Sequence, residues 1–72
     1  MTQTPILSAR KLIKILERNG FIKIRQEGSH IFFKHANGRT TVVPNHPGKD
    51  IGKGLLRTIL DETNLIVQDL QK

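Results

Sequence analysis

The sequence has no cysteine, no tryptophan and no tyrosine, and only three phenylalanines and three prolines among its 72 residues. Without thiols there is no disulfide, no iron–sulfur cluster, no thiolate zinc site and no cysteine nucleophile. That usage suits a reducing compartment, and the expected location is the cytoplasm. No apolar run exceeds four residues, against the roughly 20 that a membrane helix needs. The opening Met1-Thr2-Gln3-Thr4-Pro5 lacks a basic stretch followed by an apolar one, so neither a signal peptide nor a membrane partner is expected. A chain of 8.2 kDa buries only about 60% of its unfolded surface. One domain spanning residues 1–72 is expected, too small for a two-domain cleft or a large cofactor fold, and no small-molecule cofactor is expected.

What the chain does have is positive charge. Twelve Lys and Arg against six Asp and Glu give a net charge of +6, with a pI near 10.4. The distribution is uneven: residues 1–57 hold eleven basic and three acidic side chains, and residues 58–72 hold one basic and three acidic. A basic face on a small domain attracts polyanions, nucleic acid foremost. The plainer reading is a charge that serves solubility alone.

The periodicity predicts the order α-β-β-β-α with a short C-terminal tail. Ser8 is an N-cap for a helix running to Asn19, and Gly20 follows as its left-handed C′ residue. Ala9, Leu12, Ile13 and Leu16 form an apolar stripe at i, i+3, i+4, i+7. Arg10, Lys14 and Arg18 form a basic stripe on the other side. From Phe21 the period becomes two. Ile22 and Ile24 alternate with Lys23 and Arg25. After a Glu27-Gly28 turn, Ile31 and Phe33 alternate with His30, Phe32 and Lys34. Asn37-Gly38 predicts a type I′ hairpin turn, and Arg39–Val43 a third strand that ends at Pro44. Asp50 is a plausible cap for a second helix over Ile51–Glu62, with Leu55, Leu56, Ile59 and Leu60 facing the core. A helical segment over Leu65–Leu70 closes the chain. The fold class is thus α+β: a three-stranded antiparallel meander with two helices on one face. That layout resembles the double-stranded RNA-binding domain.

The histidines decide which chemistry is available. His30 and His35 lie five apart on one strand and point to opposite faces, so they do not share a metal ion. Ser29 lacks a nucleophile elbow, and Gly48-Lys49 lacks the rest of a phosphate-binding P-loop. What remains is a single imidazole among many cations. Imidazole titrates near pH 6.5 in model peptides, so it both accepts and donates protons near neutrality. RNA carries its own nucleophile, the ribose 2′-OH. A protein that cuts it this way supplies a proton acceptor and a cationic grip on the phosphate, with no metal.

Four stretches carry a family resemblance. They are Leu12-Ile13-Lys14-Ile15-Leu16-Glu17-Arg18-Asn19-Gly20-Phe21, Gly28-Ser29-His30, Val43-Pro44-Asn45-His46-Pro47-Gly48-Lys49, and Gly54-Leu55-Leu56-Arg57-Thr58-Ile59-Leu60. Together with the Asn37-Gly38 hairpin they resemble the HicA (YcfA-like) family over about residues 8–66. HicA proteins are the toxin halves of toxin–antitoxin pairs. The resemblance implies a dsRNA-binding-like fold, translation-associated mRNA cleavage, a single catalytic histidine at His30, and a HicB-like antitoxin that covers the active site. Many members carry a second histidine directly after the first, where this chain has Ile31. The family often has Gly-Thr-Leu in place of Gly54-Leu55-Leu56.

The RNA-binding candidates are Arg10, Lys14, Arg18, Ser29, Lys34, Lys49, Lys53 and Arg57. Lys49, Lys53 and Arg57 are spaced by four around the start of the second helix, and a solvated face is the alternative. Gly28 admits a close backbone approach or simply makes a turn. The Ser29 hydroxyl bonds a phosphate, orients His30 or only completes the turn. His35 is structural or a phosphate contact. His46 fixes its loop or moves a second proton. Phe32 shares the open face with His30, where it stacks a base or meets the antitoxin; with the faces inverted it is core. Against the endoribonuclease stand a non-catalytic dsRNA-binding-like module and an interaction domain with incidental charge.

Overall fold

The computed structural model describes residues 5–71. Residues 1–4, which carry most of the N-terminal stretch discussed above, and residue 72 lie outside the described residues. Helix α1 spans Ala9–Arg18, strands β1, β2 and β3 span Phe21–Glu27, His30–His35 and Thr40–Pro44, and helix α2 spans Lys53–Thr63. A 3-10 turn over Val67–Gln71 follows. The strands form one antiparallel sheet in the order β1-β2-β3. The expected α+β layout is the observed one.

Helix α1 begins where its cap allows. Ser8 is extended, and its hydroxyl accepts from the Lys11 N–H at 3.2 Å, satisfying one of the free donors of the first turn. The helix ends at Asn19, and Gly20 leaves it with φ +88°. Its buried side chains are Ala9, Leu12, Ile15 and Leu16. Ile15 takes the place expected for Ile13, which is only partly buried against the core.

The sheet buries one face. Ile31 and Phe33 of β2 and Thr41 and Val43 of β3 are buried with Leu12, Leu16, Phe21, Leu56 and Ile59. Helix α1 packs on β1 and β3, and α2 on β3. The one buried hydroxyl of the sheet is satisfied, because Thr41 Oγ1 donates to Glu62 Oε1 at 2.9 Å. Among the described residues no buried side-chain nitrogen or oxygen lacks a partner, as a small core requires.

The structure corrects several expectations. The strict alternation of β1 is broken: Lys23 pairs with Phe33 and Arg25 with Phe32, so Ile24 is the extra residue of a bulge. Ile22 and Ile24 are both exposed, at 67% and 54%. The second hairpin is not type I′. Asn37 keeps a negative φ, and only Gly38, at φ +94°, is left-handed. The Gly38 N–H donates to His35 O and the His35 N–H to Arg39 O, both at 2.9 Å. This is a three-residue loop ending in a glycine bulge.

Helix α2 starts at Lys53, two residues later than expected, with Gly52 as its N-cap. Asp50 instead pairs with Ser8, and the Ile51 N–H donates to Leu7 O at 2.7 Å. Ile51 and Leu7 are both buried. Burying them as an extended pair removes Ile51 from the helix. Leu55, expected on the core face, is exposed at 38%.

Candidate functional site

The face of the sheet away from the helices is built of three cross-strand rows. Directly opposed residues in an antiparallel ladder lie on the same face. The first row is Glu27–His30–Pro44, the second Arg25–Phe32–Val42 and the third Ile22–Lys34–Thr40. His30 is exposed at the first position of β2. It is placed there by the two-residue turn Gly28-Ser29. Gly28 has φ +58° and Ser29 does not have a positive φ, the II′ pattern that hairpins favour.

The middle row carries a contact that alternation in the sequence does not reveal. The Arg25 guanidinium lies 4.2 Å from the centroid of the Phe32 ring, a cation–π contact. Arg25 also pairs with Glu27 at 2.9 Å, with both side chains about 60% exposed. Unbroken alternation from Lys23 would have put Arg25 on the helix side. The bulge at Ile24 returns it to the open face beside His30. Phe32 is half-buried on this face, not in the core.

Ile31 faces the helices and is buried. A histidine at that position would not share the face of His30. His35 also lies on the helix side, where its ring meets Phe21 edge-on at a centroid distance of 5.0 Å. Its Nδ1 accepts from the Asn37 N–H at 3.0 Å, so its role here is to brace the second hairpin.

The basic candidates separate into groups. Arg10, Lys14 and Lys49 line one cleft of about 560 Å³ between α1 and the loop 45–49, together with Glu17, His46 and Ile13. Lys49 belongs to that loop and not to α2, so only Lys53 and Arg57 lie on the helix. Arg18 lines a different groove, with Lys11, Leu70 and Lys14, the last of which borders both. Arg57 lines a third, beside Asp61. His30 lines none of these grooves. The loop bearing His46 is tied to the strand of His30, because the Asn45 N–H donates to Ser29 O at 2.7 Å. Among the described residues no three His, Asp or Glu side chains converge.

These features define a small basic α+β domain with an open sheet face, one exposed histidine at its rim and a cationic cleft around the same end of the sheet. Residues 9–65 match the family described as HicA toxin of bacterial toxin–antitoxin. The chain belongs to that family, and membership implies an antitoxin as its partner. No curated protein matches the chain. Among the described residues no helix is long and apolar enough to cross a membrane.

Proposed function

We propose that this chain is a metal-independent endoribonuclease that cleaves mRNA, with His30 as its proton-transfer residue, and that a HicB-like antitoxin silences it by covering the open sheet face. The observation that carries the reading is the position of His30. It is exposed on the uncovered face, next along β2 to the Arg25–Phe32 stack, in a family of toxins.

The chemistry needs little more than this face offers. The His30 imidazole accepts the proton of a ribose 2′-OH. The 2′ oxygen attacks the adjacent phosphorus, and the bond from phosphorus to the 5′ oxygen breaks. The imidazolium returns its proton to that leaving oxygen. The products are a 2′,3′-cyclic phosphate and a free 5′-OH, and the imidazole ends as it began. Arg25, on the same face, stabilises the charge that grows on the phosphoryl oxygens, and Lys34, about 13 Å farther along β2, holds a flanking phosphate. The Phe32 ring supplies a stacking surface for a base.

Purified chain incubated with an mRNA in excess chelator tests the reading. Fragments ending in cyclic phosphate and 5′-OH, at a rate the chelator leaves unchanged, are expected. RNA bound but uncut would establish the non-catalytic module instead, and cutting abolished by the chelator would overturn metal independence.

A further inference from the structure

We propose that the cleft between α1 and the loop 45–49 is a nucleotide subsite, holding one RNA residue away from the cut with its phosphate on Arg10, Lys14 and Lys49. The proposal rests on the RNA-cleaving reading above and adds a second contact region to it.

Three features support this. The first is size: about 560 Å³ falls within the roughly 300–1,000 Å³ of small-molecule sites. The second is charge. Cations from two separate segments, α1 and the loop, converge on one cavity whose only carboxylate among the described residues is Glu17. Among the described residues the one ion pair is Arg25–Glu27, so the three cations and Glu17 hold no salt-bridge partner. They are available to a ligand. The third is place. The Asn45–Ser29 hydrogen bond fastens the cleft's loop to the residue before His30. An RNA strand leaving the open face round that end of the sheet therefore meets the cleft. Neither the groove of Lys11, Lys14 and Arg18 nor the one of Arg57 and Asp61 is bounded by a segment hydrogen-bonded to the His30 turn.

The lining also implies a preference. Ile13 and Pro47 give apolar contact for a base, and His46 a planar ring. Glu17 accepts hydrogen bonds only, so it favours a base with an exocyclic amine over uracil, whose one donor on its pairing edge, N3–H, lies between two carbonyl oxygens that repel a carboxylate. Adenine, cytosine and guanine are thus selected over uracil.

The test is an NMR titration of the full chain with the four 5′-ribonucleoside monophosphates and, separately, inorganic phosphate. Amide shifts are expected in residues 9–17 and 45–49. Affinity should be at least about fivefold higher for the amine-bearing nucleotides than for uridine monophosphate, given the discrimination typical of one base-edge contact. Lys14→Glu with Lys49→Glu should weaken binding at least tenfold, and Glu17→Gln should remove the preference. His30→Ala should leave the titration unchanged. Shifts centred on residues 28–34, or equal affinity for inorganic phosphate, would overturn the subsite. RNA cleavage by the same samples keeps the two readings apart. A chain that cuts RNA while its cleft stays silent overturns the subsite alone. A chain that binds nucleotides in the cleft but cuts nothing supports the subsite and overturns the catalysis.

Discussion

Gly20 and His35 form a contact that depends on both residues. Gly20 has φ +88°, and a Cβ added to it would lie 2.7 Å from His35 Nε2. Gly20→Ala therefore carries two costs. The left-handed backbone alone costs about 1–2 kcal/mol for an L side chain, and displacing the imidazole adds to it. Denaturant melts of Gly20→Ala, His35→Ala and the double variant separate them. The double variant is expected to lose less stability than the two single losses added together, because His35→Ala removes the clash and leaves the backbone term. Strict additivity would contradict the contact. The glycine was legible in the sequence as a helix ending, and His35 as either a structural residue or a phosphate contact. Their meeting was not, since it depends on how α1 returns over the start of β1.

At the scale of elements, the sequence makes the order of helices and strands legible because each period is carried by several residues. Ends and irregularities rest on single residues and are harder to see. Asp50 has the chemistry of an N-cap, yet the burial of Ile51 against Leu7 delays α2 to Lys53. The bulge at Ile24 leaves no mark on the alternation of charged and apolar residues, so the sequence does not show that Arg25 shares a face with His30. Deleting Ile24 tests that register. The pairs Lys23–Phe33 and Arg25–Phe32 would then become consecutive rungs, so the deletion variant should fold with both retained. Nuclear Overhauser contacts between residues 25 and 32 report this directly. Loss of those contacts in a folded variant would contradict the bulge.

At the scale of the whole molecule, a net charge of +6 meets a sheet face that, among the described residues, no helix covers. An antitoxin approaching this surface gains association rate if it is acidic, since complementary charge steers encounter. In the toxin–antitoxin complex, amide exchange across residues 28–34 should slow relative to the free chain. Unchanged exchange there would contradict covering of the His30 face. Of the cations read from the sequence, helical spacing correctly placed Arg10 and Lys14 on an exposed side of α1. The convergence of Lys49 with them was hidden, because it arises from the loop turning back toward α1 instead of starting α2.

The central claim is that His30 moves the proton while the cleft and its His46 only hold RNA. Cleavage by wild type, His30→Ala and His46→Ala, at matched soluble concentration and saturating RNA, tests it most directly. His30 is exposed, so His30→Ala should change stability by less than about 0.5 kcal/mol. Its cleavage rate should fall by about 10²–10⁴-fold, the usual contribution of general acid–base catalysis. His46→Ala should cut within about tenfold of wild type, since it removes no proton-transfer group. A folded His30→Ala that cuts near the wild-type rate, or a His46→Ala that alone is inactive, would contradict the account.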